Sequence, residues 1–172
     1  SVTIPEDAVS IAQGEHLATI HCKSCHGPDL AGTTLFSDPA LGIIFTPNIT
    51  GGYGNGGVKL NVENLVSAIR HGVDTEGKAL MVMPALAFYH LSDQDLGAVI
   101  AYLYSLPHGE TTPSESQLTV FGKAAHQLGA FGNILHAETL DHQALRPQAV
   151  PVGVPAEYGE YMVVSSGCSE CH

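Results

Sequence analysis

The sequence predicts a mainly α protein: a few helices joined by long loops around a bound group, then a linker, then the start of a second such unit. Three observations predict it. Two segments, "NVENLVSAIRHG" and "LSDQDLGAVIAYLYSLP", carry helical periodicity with readable ends. The stretches around them hold too much glycine and proline for regular structure. A Gly-Glu-led segment ending in Cys-x-x-Cys-His occurs twice, "GEHLATIHCKSCH" at 14–26 and "GEYMVVSSGCSECH" at 159–172, with one residue inserted in the second.

In chain order, the first copy reads as an N-terminal helix that delivers its Cys-x-x-Cys-His at its end. Residues 27–57, "GPDLAGTTLFSDPALGIIFTPNITGGYGNGG", break both helical and strand periodicity and are expected to be loops. The next helix has Asn61 as N-cap, Leu65, Val66 and Ile69 on one face, and Gly72 as its stop. "DTEGKALMVMPALAFYH" again reads as irregular. The clearest helix follows: Ser92 caps it, Asp93 and Asp95 occupy the dipole-favoured first turn, and Pro107 ends it. Leu96, Val99, Ile100 and Leu103 form its buried stripe. Beyond it, "QLTVFGKAAHQLGAFGNIL" is a helix weakened by three glycines, and "RPQAVPVGVP" is an extended linker. This divides the chain into 1–107, a linker at 108–153, and the beginning of a second domain at 154–172.

Hydrophobic residues make up 44% of the chain, enough for a core. No apolar run is long enough to cross a bilayer; the longest is of the order of "LGAVIAYLYSL". The chain begins at Ser1 without a visible signal peptide, so both ends are expected to be products of processing or pieces of a longer polypeptide. The formal charge of -11 argues against nucleic-acid binding, because phosphates need Lys and Arg partners. It suits a protein partner with a basic docking face.

All four cysteines lie within the two motifs. Two Cys-x-x-Cys pairs can serve a zinc site or redox dithiols, but neither requires a His directly after each second Cys. Covalent haem attachment does: the thiols hold the porphyrin edge and the adjacent His reaches the iron. Two c-type haems are therefore expected.

The segments "CKSCHGPDLAG", "TPNIT", "LVSAIRHGVDTEGK", "MPALAF" and "LSDQDLGAVIAYLYSLP", in that order, resemble the bacterial class I c-type cytochromes. The similarity is to the multihaem cytochrome subunits of periplasm-facing dehydrogenases. The tail from "LDHQALRP" onward resembles that family's linker into a further haem domain. The resemblance implies the class I cytochrome c fold, with Cys22 and Cys25 holding the first haem and His26 as proximal ligand. It implies Met83 as distal ligand, with Met81 as rival, and Pro84 keeping that loop extended. Pro47 would accept a bond from the proximal His, Gly14 and Tyr102 would mark a close helix crossing, and Arg70 would meet a haem propionate or remain a solvated surface residue. For the second haem, Cys168 and Cys171 would attach and His172 would ligate. No Met follows His172, and Met162 packs, so a distal ligand there would come from His108, His126, His136, His142 or another chain. The second motif is thus expected to open a domain whose remainder the sequence lacks.

A His/Met iron is six-coordinate and closed to substrate, which suits electron transfer. The resemblance therefore implies a non-catalytic dihaem electron carrier, in the periplasm or on the outer face of the cytoplasmic membrane, serving redox partner proteins. An enzyme using an open second haem, like a thiosulfate dehydrogenase or a dihaem peroxidase, is the alternative. A subunit of a cytochrome assembly or filament is another.

Overall fold

The structure is a computed structural model that describes residues 2–54, 57–109 and 115–168. It is mostly helical, with one small sheet. Helix α1 (Ala8–His21) is capped by Asp7, whose carboxylate accepts the Ser10 N–H at 2.9 Å. A single further turn, α2 (Lys23–His26), follows directly. Helix α3 (Val62–His71) starts at Asn61, which accepts the Asn64 N–H, and stops at Gly72 in the left-handed conformation, as the sequence predicts. Helix α5 (Asp93–Ser105) likewise starts at Ser92, whose hydroxyl accepts the Asp95 N–H at 3.1 Å.

Two expectations need correction. Residues 27–57 are not only loops: β1 (Thr33–Asp38) and β2 (Gly42–Thr46) form an antiparallel hairpin with an irregularity between Thr34 and Phe36. The Asp38 carboxylate makes the turn by accepting the Ala40 and Leu41 N–H groups. The β-branched and aromatic residues of "TTLF" and "GIIFT" carry the strands. A third strand, β3 (Gln117–Leu118), comes from far along the chain to pair with Gly42 and Ile43. The segment between α3 and α5 is also not wholly irregular, since it contains the turn α4 (Ala85–Phe88) and a bridge between Val73 and Ala79.

The core has two parts on either side of α5. One gathers Leu65 and Ile69 of α3, Ala87 and Phe88 of α4, and Leu91, Leu96 and Ile100. The other gathers Leu17 and Ala18 of α1, Leu30, and Val99, Tyr102 and Leu103 of α5. The expected stripe is buried, but so are Ala98, Ala101 and Tyr102, because α5 is covered all round. Helix α1 crosses α5 at Gly14, where an added Cβ would lie 2.0 Å from the Ala98 carbonyl oxygen and 3.0 Å from Tyr102 Cβ. This is the crossing expected from Gly14 and Tyr102, and only the absence of a side chain at Gly14 permits the approach.

The residues that follow α5 pack back on the elements before them. Helix α6 (Val120–Gln127) is cut off before Gly129, and Thr119, its cap, donates to the Ala40 carbonyl. The Val82 N–H donates to the Ile134 carbonyl at 2.8 Å. Tyr89 donates to the Asp141 carbonyl and accepts from Arg146, whose guanidinium lies 3.8 Å above the Tyr89 ring centroid. The Asp93 and Gln94 N–H groups donate to the carbonyls of Pro147 and Gln148, so the linker satisfies the start of α5. Helix α7 (Ala156–Ser165) then rests against α4. No helix among the described residues is long and apolar enough to cross a membrane.

Candidate haem site

Cys22 ends α1 and opens α2, so the motif occupies one helical turn in which the Cys25 and His26 N–H groups both donate to the Cys22 carbonyl. The i, i+3 spacing puts both thiols on one side of that turn. Both are free thiols. Burial, and then the neighbouring Cys25, pushes the Cys22 thiol up to about 12, so it is held neutral.

His26 is 8% exposed, and its Nδ1 lies 2.9 Å from the Pro47 carbonyl oxygen. Burial lowers its pKa, against the opposing pull of that bond, so the ring is neutral. A carbonyl can only accept, so Nδ1 carries the proton and the Nε2 lone pair is left for a metal. Several residues that the sequence analysis did not single out hold this arrangement. Thr46 Oγ1 donates to the Cys25 carbonyl at 2.7 Å, which ties the motif to the end of β2. Gly32 donates to the His26 carbonyl at φ 88°, and an added Cβ there would lie 2.6 Å from the Thr46 oxygen and 2.9 Å from the Pro47 carbonyl carbon. Asn48 is buried, accepts from the Thr50 N–H and hydroxyl, and donates to the Gly109 carbonyl, which fixes the backbone beside Pro47. Only the resemblance of "CHGPDLAG" and "TPNIT" hinted at these contacts, which join residues distant in sequence.

Met83 is half-buried and packs on the core part formed by α3, α4 and α5. Met81 is half-buried too but is not part of that core group. Pro84 does not extend the loop as expected. With φ −78° and ψ 60° it centres an inverse γ-turn, in which the Ala85 N–H donates to the Met83 carbonyl at 2.7 Å. Val82, just before, has φ 69°, a left-handed conformation that a β-branched residue rarely takes.

Arg70 is not a solvated surface residue. It is 7% exposed, donates to Asp93 Oδ1 at 2.8 Å and to the Leu91 carbonyl at 2.9 Å, and so ties the end of α3 to the start of α5. Its Nε is buried with no partner among the described residues. His21, next to Cys22, lies edge-on to the Phe88 ring and has a buried Nε2 in the same condition.

Of the second motif, Cys168 is exposed and has a free thiol, while Cys171 and His172 lie outside the described residues. Met162 is half-buried on α7. Two linker histidines have internal partners: His108 bonds the Thr50 carbonyl and stacks on Tyr53, and His142 lies between His71 and the Ala137 carbonyl. His126 and His136 each keep a buried Nδ1 without a partner among the described residues.

Two free thiols on one helical turn, a neutral His oriented by a carbonyl, and a half-buried Met in a core-facing loop are the donors that a covalently held haem needs, so the residues fit that group. Residues 9–103, more than half of the chain, match the family model described as cytochrome C oxidase, cbb3-type, subunit III. The chain belongs to this family. It is a c-type cytochrome with the cytochrome c fold, and haem c is its cofactor. It is 35% identical to the fructose dehydrogenase cytochrome subunit of Gluconobacter japonicus over 55% of this chain and 21% of that protein. Identity to the gluconate 2-dehydrogenase cytochrome c subunit of Pantoea cypripedii is 29%, over 94% of this chain and 37% of the relative. The cytochrome c subunit of alcohol dehydrogenase (quinone) from Gluconobacter oxydans (strain 621H) is 31% identical, over 56% of this chain and 21% of its own length. The chain thus spans between 21% and 37% of the length of these relatives.

Proposed function

We propose that the protein is a dihaem electron carrier that takes electrons from a dehydrogenase and hands them to a downstream acceptor. The observation that carries this reading is the His26–Pro47 bond within a complete Cys-x-x-Cys-His turn. The names of the relatives, all cytochrome subunits of dehydrogenases, support the donor class and do not favour the enzyme alternatives.

Haem c, when bound, supplies a one-electron couple at an iron closed to substrate. Cys22 and Cys25 would hold it through thioethers, and His26 would offer Nε2 to its iron. Pro47 holds the imidazole ring against rotation, Thr46 and Asn48 hold the backbone around it, and Met83 would offer its sulfur. Rigid ligands change little between redox states, which keeps the energetic cost of electron exchange low. Arg70 Nε is a buried donor suited to a propionate. Residues 1–107 form the first haem domain and 108–153 the linker. Residues 154–172 begin a second domain, in which Cys168, Cys171 and His172 serve the second haem. The acidic surface suits a donor or acceptor with a basic face, and the location is the periplasm or the outer face of the cytoplasmic membrane.

The test is an intact mass together with a visible spectrum of the reduced protein. Two covalent haem additions and a His/Met signature from at least one of them are expected. A protein with no attached haem, or without a His/Met signature, refutes the reading.

A further inference from the structure

Residues 134–146 follow α5, lie beyond the matched stretch 9–103, and bond to both ends of the segment that carries Met83. At its start, the Val82 N–H donates to the Ile134 carbonyl at 2.8 Å. Val82 stands between Met81 and Met83 at φ 69°, a conformation that persists only where the surroundings impose it. At its end, the Tyr89 hydroxyl donates to the Asp141 carbonyl at 2.8 Å and accepts from Arg146 Nη2 at 2.7 Å. Buried Ala137 lies beside Gly72, and its turn, His136–Thr139, packs on α4.

Between the two anchored ends there is little slack. The Ala85 N–H donates to the Met83 carbonyl, the Ala87 and Phe88 N–H groups to the Pro84 carbonyl, and the Tyr89 N–H to the Ala85 carbonyl. One hydrogen-bonded turn therefore joins Tyr89 to Met83, and a displacement at either end is carried to the other. Arg146 is one of six Lys and Arg residues and makes no ion pair among the described residues. Its guanidinium is committed instead to the Tyr89 hydroxyl, the Tyr89 ring face 3.8 Å away and the Ala144 carbonyl.

We propose that Arg146 is a positioning residue for the distal ligand: through Tyr89 it pins α4, and with it the Met83 sulfur, so that the iron stays closed to outside ligands. The proposal rests on the reading of Met83 as that ligand. An outside ligand competes with Met83 in proportion to the fraction of molecules in which segment 82–89 is open, so each bond that holds the segment acts on that fraction.

The experiment titrates the ferric full-length holoprotein with imidazole and follows the loss of the methionine-to-iron charge-transfer band. Arg146→Ala should raise the imidazole affinity about tenfold, the effect of losing one hydrogen bond from a charged donor. Tyr89→Phe, which keeps the ring and removes both hydroxyl bonds, should raise it severalfold, and Arg146→Lys should fall between wild type and Arg146→Ala. Amide exchange in residues 82–89 should accelerate in the same order. Thr119→Ala frees α6 from the Ala40 carbonyl, a contact outside segment 82–89, and should bind imidazole as wild type does. Wild-type affinity in both Arg146→Ala and Tyr89→Phe would overturn the proposal, and so would an equal rise in Thr119→Ala. A wild-type protein that lacks the charge-transfer band overturns the Met83 reading, and this proposal with it, before any variant is compared.

Discussion

The two copies of the Gly-Glu segment allow one substitution to be made twice with opposite outcomes. Gly14 and Gly159 occupy the same place in the repeat, on α1 and α7. At Gly14 an alanine Cβ would meet the Ala98 carbonyl oxygen at 2.0 Å and the Ala98 carbonyl carbon at 2.5 Å, and helical backbone cannot swing aside. The helices must separate by more than about 1 Å to reach ordinary contact, which forfeits a quarter or more of the dispersion in the neighbouring core. Leu17, Ala18, Val99 and Leu103, all nearly inaccessible, pay that loss. Overpacking of this kind costs about 3 kcal/mol at its upper end. Alanine returns about 1 kcal/mol of helix propensity, so Gly14→Ala should destabilise by roughly 2 kcal/mol. At Gly159 nothing lies within 4 Å of the added Cβ, and the propensity gain stands alone. Gly159→Ala should therefore stabilise α7 by about 0.5–1 kcal/mol. Guanidinium unfolding of the 172-residue holoprotein, with the m-value checked for constancy, measures both. A Gly14→Ala protein as stable as wild type, or shifts of the same sign at both sites, would refute the reasoning.

Three further outcomes follow from the same geometry. Met83→Leu should abolish the His/Met absorption signature of the reduced first haem and Met81→Leu should leave it intact; the reverse result would assign ligation to Met81. Asn48→Ala leaves the Thr50 groups and the Gly109 carbonyl without their partner, so it should cost roughly 1–3 kcal/mol in denaturant unfolding, and no loss would show that water replaces it. The His142 Nε2–H donates to the Ala137 carbonyl, so its Nδ1 must accept from His71, which donates as the neutral ring that its burial favours. Burial, then His142, Arg70 and Arg146, lowers the His71 pKa below 6.5. The unfolded state therefore binds more protons, and the burial of a neutral His71 contributes stability fully above 6.5 that is lost as pH falls through the lowered value. Amide exchange in residues 136–142, corrected for intrinsic rates, should accelerate between about pH 7 and about pH 5, and a flat profile would count against the clasp.

Much of the scaffold was legible because local rules govern it. Asn61 and Ser92 set helix starts through side chains that accept N–H groups three residues on, Gly72 ends its helix through the left-handed backbone it permits, and the α5 stripe follows from periodicity alone. The hairpin at 33–46 was hidden because the glycines and prolines of 27–57 around it mask its short strands, and because its third strand lies some seventy residues away, beyond any window that reads periodicity. At the site, the motif names Cys22, Cys25 and His26 directly. Thr46, Gly32 and Asn48 act through backbone atoms of distant segments, and a side chain that supports a backbone leaves no spacing to read. Arg70 illustrates the other limit, since composition marks it as a scarce cation but only the fold reveals Asp93 beside it.

The return of the linker to the start of α5 bears on how firmly α7 must bind. Pro147 and Gln148 are anchored on the Asp93 and Gln94 N–H groups, so only residues 149–155 run between that anchor and α7. A tether this short keeps α7 at an effective concentration on the order of millimolar beside its docking place. The bonds of the Tyr161 hydroxyl on α7, which accepts the Ser92 N–H and donates to Asp95 Oδ2, then need little intrinsic affinity to stay closed most of the time. Release becomes a local, reversible excursion in which α7 swings away on its leash while the rest of the linker stays in place. A protein built this way can keep α7 packed against α4 and still let it swing outward.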